Sequence, residues 1–465
     1  MAHPMPTHAQ AYPYFPIYFV AVVPWLLLSF FTREMKCDHE HGVGKPTIKE
    51  NALGLLRSCN SPAVTMCSQP LELMVDLPGL DIPEMYATVI PLPNTHTPVN
   101  RFRFHVLQPR LSLLVFPTAA TSFGTASPSG TYNLCDLSKA PIPPTSYIRS
   151  LKAHLVNSSI DDRLSFRSVR NPANTKELLP LWVLTVWEEI SQLADSQDKW
   201  KAGYSWVRSL QDTRHPDNHT TVAFAYLEAL GWNSPIMLYG LRGITNLSLA
   251  QFLSDGKVND EAVDLMSRFL AAQPTLPHNT LIADLRLPRF ISAQDYTSQP
   301  PTHIRELKAR ITHAATLYFP MFYTKYEHWI AFKVDLLRKE VTYGKPNSGS
   351  RLSLHYNVSI ADSMGNSLTK PEDFVTALLR WLSTCCGDKF TFIGKKLHVG
   401  SQRDATSCGF FAINVISHSV FNTTLLNHLG VRENRLQWFN NLCSAIAQHV
   451  IHSYPFCKTT IAEYI

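Results

Sequence analysis

The chain has 465 residues, of which 45% are hydrophobic and 17% are charged, so it can bury a sizeable core in about two or three structural units. Its formal net charge of +6 comes from 42 basic and 36 acidic residues without a long run of either sign, which argues against nucleic-acid binding. Nine cysteines without a CxxC pair argue against a disulfide scaffold and favour a reducing, intracellular compartment, either nuclear or cytoplasmic.

Two features lie near the N-terminus. Residues 14–31 are almost wholly apolar and uncharged, and Arg33 and Lys36 follow them. Residues 1–36 are therefore an apolar N-terminal segment that is either a membrane span or a buried stretch. Residues 37–41 read Cys-Asp-His-Glu-His, but no second group of ligands completes a metal site. We expect no bound metal.

The next two regions differ in pattern. Residues 37–150 are rich in Pro, Ser and Thr and predict loops with few strands, without an assigned role. Residues 151–234 are predicted to be helical, and two apolar stripes within them predict a hairpin of two amphipathic helices. The first stripe contains Trp182, Val186, Ile190 and Leu193, and the second contains Trp200, Tyr204, Val207 and Leu210.

Residues 235–465 alternate between strand and helix patterns, which predicts an α+β domain. The predicted strands cover residues 315–322, 328–334, 340–343 and 390–393, and the predicted helices cover residues 254–272, a segment from 371 onward and residues 409–418. The last helix is apolar on most sides. We therefore predict that it lies in the core against the sheet.

The segment from Gln402 to Gly409 predicts a nucleophile. Most cysteines are buried apolar fillers, but Cys408 stands at the entry to a helix, where the positive N-terminus favours the thiolate. His328, upstream, is the predicted acid and base, while Gln402 and the backbone N–H of Cys408 are predicted to stabilise the oxyanion. These residues predict a thiol hydrolase, which needs neither a metal nor an organic cofactor.

A carboxylate must orient the imidazole of His328. Asp335 ends the strand that His328 begins, about 20 Å away at the rise of a β-strand, and is predicted to start a turn. Asp362 is therefore the predicted orienting residue. His398 and His418 are nearer to Cys408 along the chain, but both lie in apolar segments and are predicted to be structural.

A family resemblance follows from the order of these motifs. His-Trp at 328–329, Asp-Ser at 362–363 and Gln-x5-Cys-Gly at 402–409 resemble the Ulp/SENP proteases, which mature and deconjugate SUMO-like modifiers. Residues 397–409 also look like the Ulp-like proteases carried by fungal transposons. The resemblance covers residues 235–465. It implies a papain-like fold, with a central nucleophile helix on a mixed sheet, and a cysteine-type (iso)peptidase that cleaves after the Gly-Gly tail of SUMO or another ubiquitin-like modifier.

The same resemblance implies substrate-binding residues. Residues 252–259 are similar to the Trp-Leu-Asn/Ser-Asp-x-x-Ile-Asn opening of the family's catalytic domain. Phe252 stands where the family usually has Trp and is expected to keep an aromatic contact with the substrate tail. Asp255 matches the acidic position of that motif. Trp329 matches the tryptophan that covers the substrate tunnel, so it is expected to help clamp the Gly-Gly tail.

One departure from the family pattern leaves alternatives open. Residues 345–361 separate the strand after His-Trp from Asp362. They are either a surface loop, which costs little because loop-closure entropy grows slowly with length, or an unspliced intron retained in the predicted gene. The insertion and Phe252 favour one alternative function, a degenerate transposon-derived protein that only binds a ubiquitin-like partner. A second alternative is an acetyltransferase of related fold.

Overall fold

The computed structural model describes residues 93–111, 115–127, 141–211, 218–241, 243–293, 299–324, 327–344, 347–348, 371–395 and 397–453. The apolar segment 14–31, the cluster 37–41, Asp362 and most of the insertion 345–361 lie outside these residues. None of the helices in the described ranges is both long and apolar enough to traverse a bilayer. Within those ranges, no three His, Cys, Asp or Glu side chains group together as metal ligands would.

The described residues contain α-helices of four to 29 residues and a 3₁₀-helix. The α-helices are α1 (Val99–Phe102), α2 (Ala119–Ser122), α3 (Thr145–Asn157), α4 (Ile160–Ser165), α5 (Val183–Gln211), α6 (Asn218–Ala229), α7 (Asp260–Ala271), α8 (Arg286–Ala293), α9 (Thr302–Ile311), α10 (Pro371–Cys386), α11 (Cys408–Phe421) and α12 (Val431–Ser453). The 3₁₀-helix covers Asn246–Phe252.

The strands form three sheets. They are β1 (Phe123–Gly124), β2 (Ser168–Asn171), β3 (Asn174–Pro180), β4 (Thr280–Ile282), β5 (Thr316–Tyr323), β6 (His328–Asp335), β7 (Glu340–Gly344), β8 (Asn347–Ser348), β9 (Thr391–Lys395) and β10 (Ser401–Gln402). The largest sheet has the order β4-β5-β6-β7-β9. Its β5–β6 and β6–β7 pairs are antiparallel, and its β4–β5 and β7–β9 pairs are parallel. The predicted α+β fold with a mixed sheet is confirmed.

Both faces of this sheet are covered because side chains alternate along each strand. Tyr318, Trp329 and Ala331 belong to the core on one face, together with the apolar residues of α7 and α11. Phe319 and Phe332 stack on the opposite face with ring centroids 5.2 Å apart, in the core that α8, α9 and α10 complete. Burial on both faces explains why β5 and β6 are continuous apolar runs.

The central helix α11 packs against β6, as predicted. Every residue from Cys408 to Ser417 is buried, which explains why the sequence is apolar on all sides of this helix. Gly409 permits the close approach: a Cβ atom there would lie 2.6 Å from Val258 Cγ2 and 3.4 Å from Trp329 Cδ1. A larger residue at position 409 would clash with the side chains of Val258 and Val263.

The predicted helical hairpin is wrong, because one helix of 29 residues, α5, carries both apolar stripes. The two stripes are successive turns of a single face, with Gln197 completing the spacing between Leu193 and Trp200. Gln197 is 5% exposed, and its Nε2 donates to the carbonyl oxygens of Phe102 at 2.9 Å and His105 at 2.7 Å. A buried glutamine with satisfied hydrogen bonds looks like a break in the pattern but is not one.

The helical region shares its core with the catalytic region. Trp200 in α5 is fully buried and donates its Nε1–H to the carbonyl oxygen of Trp232 at 2.9 Å. Its cluster extends to Phe252, Phe410 and Phe439. The predicted boundary at residues 234 and 235 therefore falls between Trp232 and Ile236, which both belong to this cluster. A smaller core, built by α3, β2 and the first turns of α5, lies beside it.

The first helix of the catalytic region starts later than predicted. The pattern predicted a helix from Ser254, whereas α7 begins at Asp260. The Asn259 side chain accepts the N–H of Ala262 at 3.1 Å, and this N-cap sets the start of the helix. Residues 253–258 instead form a loop, called here the approach loop, between the 3₁₀-helix and the N-cap.

Candidate active site

The predicted nucleophile occupies the first position of the central helix. Cys408 is 3% exposed and begins α11. Burial raises the pKa of its thiol above the usual value, while the backbone N–H groups of Trp329 and Gly409 and the charge of Lys257 act in the opposite direction. The expected depression of the thiol pKa is therefore outweighed, because the buried position penalises the thiolate more than the helix N-terminus favours it.

The predicted base begins the strand on which the nucleophile helix packs. His328 is the first residue of β6 and is half-buried. Trp329, the residue that follows His328, lies next to the start of this helix, since a Cβ atom at Gly409 would be 3.4 Å from its Cδ1, and its backbone N–H lowers the pKa of Cys408. The structure therefore brings Cys408 to the segment that carries His328, although the two lie in different parts of the sequence.

The hairpin that precedes His328 is tied to the approach loop. Glu327 has a φ of 46°, a left-handed conformation that is uncommon for a residue with a side chain. Its carboxylate forms an ion pair with Lys257, and this pair lowers the pKa of Glu327. The pair links the hairpin to the approach loop and keeps a positive charge near Cys408.

Gln402, the predicted oxyanion donor, lies in β10 and is 1% exposed. Its Nε2 donates to the backbone oxygen of Asp404 at 2.7 Å. Nε2 also donates to the Oδ1 of Asp404 at 3.4 Å, so both contacts turn the amide nitrogen toward Asp404 in this structure. The role of Gln402 stays a prediction.

Asp404 organises the segment 402–408, called here the nucleophile loop. Its Oδ1 accepts the backbone N–H groups of Thr406 at 2.8 Å and Ser407 at 2.6 Å. Burial raises the pKa of Asp404, but these hydrogen bonds outweigh it and leave the pKa below its usual value. Sequence reasoning missed this residue, although an Asp two residues before a Thr is typical of an Asx turn.

The two candidate orienting carboxylates have different outcomes. Asp362 lies outside the described residues, so its role stays a prediction. Asp335 pairs with Thr316 at the end of β6 remote from His328, and its Oδ1 accepts the backbone N–H of Arg338 at 2.9 Å. It starts a turn, as predicted.

The predicted substrate-binding aromatic residues are both buried. Trp329 is 2% exposed and lies against Phe322, with ring centroids 5.1 Å apart. Phe252 is fully buried and packs its ring edge-on against Phe410 at 5.8 Å. Phe252 thus packs against the first turn of the nucleophile helix. The ring of Phe252 has no exposed surface in this structure. Its contact with a substrate tail stays a prediction.

Asp255 is exposed at the predicted position in the approach loop. It accepts hydrogen bonds from Arg432 Nε at 3.0 Å and from Trp206 Nε1 at 3.0 Å, and Arg432 also binds its second oxygen. Burial raises the pKa of Asp255, but these partners lower it below the usual value. The carboxylate is therefore held in place by α5 and α12 before any substrate arrives.

A further residue at the site, Arg435, was missed from the sequence. It is fully buried in α12 and contacts both the approach loop and the nucleophile loop. The position of Arg435 could have identified it, because it shares the buried stripe of α12 with Phe439 and Leu442. A charged residue on a buried stripe indicates a specific partner, because an unpaired charge is costly to bury.

Part of the chain is similar to a known protein family. Residues 285–442 match the family model described as the Ulp1 protease family, C-terminal catalytic domain. The matched segment contains His328, Asp362, Gln402 and Cys408. No curated protein matches the chain.

Solved structures show a distant likeness. The chain is similar to the C-terminal Ulp1 protease domain in complex with Smt3, the yeast orthologue of SUMO, at 14% identity over 53% of this chain and 95% of that chain, with a TM-score of 0.34. The SUMO protease Ulp1 with its catalytic cysteine oxidised to a sulfenic acid is 15% identical over 50% of this chain and 98% of that chain, with a TM-score of 0.36. The Chaetomium thermophilum Ulp1-like SUMO protease catalytic domain is 14% identical over 52% of this chain and 89% of that chain, with a TM-score of 0.29.

Proposed function

We propose that this chain, whose residues 285–442 form a cysteine-protease domain of the Ulp1 family, is an active thiol (iso)peptidase that cleaves after the C-terminal Gly-Gly of SUMO or another ubiquitin-like modifier. One observation carries the proposal. Cys408 begins a buried helix whose next residue, Gly409, packs against Trp329, the neighbour of His328 in β6. A nucleophile and a base on adjoining elements are the minimum that acyl transfer requires.

The proposed reaction has two halves. His328 takes the thiol proton of Cys408, and the sulfur attacks the carbonyl carbon of the terminal glycine. Gln402 and the backbone N–H of Cys408 stabilise the oxyanion. His328 then protonates the leaving amine, and water hydrolyses the thioester with His328 as the base. Asp362 orients the imidazole throughout.

Burial of the thiol makes the base essential to this proposal. Because the pKa of Cys408 is raised, the resting group at neutral pH is mainly the protonated thiol. Attack therefore requires proton transfer to His328, and a folded His328→Ala variant should lose turnover. Two donors support the reaction once the oxyanion forms, each typically contributing about 3 kcal/mol.

The buried aromatic residues support a narrow substrate tail. Trp329 lies against Gly409 and Phe322, and the proposed path of the substrate past these residues to Cys408 suits a tail without large side chains. A Gly-Gly tail carries none. Asp255 is the proposed polar contact for the modifier, and a cationic group that binds there has to share the carboxylate with Arg432.

Active-site probes test the proposal on the purified full chain. SUMO and other ubiquitin-like proteins that end in Gly-Gly-vinyl sulfone should label wild-type protein at Cys408 and leave Cys408→Ala unlabelled. Cleavage of the matching fluorogenic substrates should follow the same preference. Folded wild-type protein that none of these probes labels would overturn the proposal.

A binding-only protein is the second candidate, and the raised thiol pKa of Cys408 favours it. It predicts that a ubiquitin-like protein binds wild type and Cys408→Ala equally, without labelling by the matching probe. An acetyltransferase of related fold predicts labelling of Cys408 by acetyl-CoA instead. The same protein preparation distinguishes all three outcomes.

A further inference from the structure

Arg435 joins two loops that are far apart in sequence. Its Nη1 donates to the carbonyl oxygen of Ser254 at 2.7 Å, and its Nη2 donates to that of Gly256 at 2.7 Å. Nη2 also lies 3.3 Å from Ser407 Oγ. The first two acceptors belong to the approach loop, and the third is the residue before Cys408. One planar guanidinium therefore fastens the approach loop to the nucleophile loop.

The flat face of the Arg435 guanidinium also contacts an aromatic ring. Its central carbon lies 4.5 Å from the ring centroid of Phe410, a cation–π distance. Phe410 is in the first turn of α11 and is fully buried. Arg435 therefore contacts the approach loop, the nucleophile loop and the nucleophile helix at once. A lysine cannot reproduce this arrangement, because an ammonium has neither the planar fork nor the flat face.

Charge balance explains why this arginine is tolerated in the core. Burial lowers the pKa of Arg435 to about 10, while Asp255, Asp404 and Cys408 act to raise it. The guanidinium thus stays protonated at neutral pH. By reciprocity, its charge favours the thiolate of Cys408 over the thiol.

We propose that Arg435 is a positioning residue for catalysis, which sets the nucleophile loop against the approach loop and supplies a fixed positive charge beside the thiol. In the described part of the chain, the charged or titratable groups around Cys408 are His328 in β6, Lys257 and Asp255 in the approach loop, Asp404 in the nucleophile loop and Arg435 in α12. Arg435 differs from Lys257 in being fully buried. Its charge is therefore screened far less by solvent.

The pH dependence of thiol alkylation tests the charge. Iodoacetamide modification of Cys408 would be followed by mass spectrometry of its tryptic peptide, with Cys408→Ala as the blank. Arg435→Met should move the midpoint upward, because it removes a positive charge next to the nucleophile loop. Arg110→Met is the matched control, since Arg110 pairs with Asp195 and Asp198 in α5. An Arg435→Met profile that coincides with wild type and the control, in folded protein, would overturn the electrostatic role.

Arg435→Lys tests the positioning role and remains informative if Arg435→Met fails to fold. It keeps the charge, so the alkylation midpoint should stay within about 0.3 pH unit, while kcat/KM should fall at least tenfold because the loops lose their shared anchor. Wild-type turnover in folded Arg435→Lys would contradict the positioning role. The turnover readout rests on the proposed function, whereas the alkylation readout does not. A shifted profile in a protein without protease activity would therefore reject the proposed function alone.

Discussion

Trp329, the second residue of β6, lies against Gly409, the second residue of α11, since a Cβ atom at position 409 would be 3.4 Å from the Cδ1 of Trp329. The backbone N–H of Trp329 also lowers the thiol pKa of Cys408, the first residue of α11. The sheet positions this backbone donor, so its effect does not depend on a side-chain rotamer. Trp329 therefore contacts the nucleophile helix with its ring and acts on the thiol with its backbone.

Substituting the glycine beside the nucleophile should create a clash between α11 and the two valines that pack on it. In Gly409→Ala, the new Cβ would lie 2.6 Å from Val258 Cγ2 and 3.1 Å from Val263 Cγ2. We expect a loss of about 1–3 kcal/mol in the free energy of unfolding, measured by chemical denaturation. Val258→Ala removes the nearest clashing atom, so the double variant should lose less than the sum of the single variants. Strictly additive losses would mean that this contact does not limit the substitution.

The positive charge of Lys257 should favour the thiolate of Cys408. Lys257→Met should raise the midpoint of Cys408 alkylation by roughly 0.3 pH unit, a small shift because Lys257 is about half exposed and screened. The matched control is Glu327→Gln, which removes the partner but keeps the positive charge. It should leave the midpoint unchanged or lower it. An equal upward shift in both variants would indicate that the ion pair, rather than the charge, affects the thiol.

Asp404 should stabilise the fold in a pH-dependent way. Its pKa is lowered in the folded protein, so its contribution is fully present above the unfolded pKa of about 3.9. That contribution is lost as the pH falls through the lowered folded value. Asp404→Asn should cost about 1 kcal/mol at pH 7, a modest figure because the carboxylate is only partly buried. Unfolding measured from pH 7 to pH 3 should show the difference shrinking, and a constant difference would contradict this origin.

The Asp255 carboxylate should affect substrate binding more than chemistry. It is exposed and lies in the approach loop, held by Arg432 and Trp206. Asp255→Ala should raise KM for a ubiquitin-like substrate, with a smaller change in kcat. Trp206→Phe removes one donor but keeps an aromatic ring, and it should have a weaker effect in the same direction. A fall in kcat with KM unchanged would instead assign Asp255 to the catalytic step.

A proline in the middle of α5 distinguishes one helix from two. Asp198 is exposed in the middle of this helix, and Asp198→Pro should cost about 3 kcal/mol or more because it removes a backbone donor and clashes with the preceding turn. Asp198→Ala controls for the lost ion pair with Arg110 and should cost no more than about 1 kcal/mol. A tolerated proline would indicate a turn at this position.

The order of the catalytic elements followed from local patterns. Strand alternation predicted β6 from His328, and the apolar run after Cys408 predicted a central helix, because burial imposes its period on neighbouring residues. Motif order also led to the Ulp resemblance, which the match over residues 285–442 supports. The hairpin predicted in the region of α5 was wrong, because the polar Gln197 lies on the apolar face of a single helix. Its burial depends on acceptors at Phe102 and His105, more than 90 positions earlier.

The amino-acid sequence by itself determined the strands β5, β6 and β7 and the central helix α11, and it identified Cys408 and His328 as the candidate nucleophile and base. Tertiary structure alone decided that Phe252 lies beneath the nucleophile helix and that burial raises the thiol pKa of Cys408. It also decided that Arg435 binds Ser254, 181 positions away. The physical reason is that periodicity reports which face of an element is buried. Which distant backbone groups meet a buried side chain depends on how the packed elements come together.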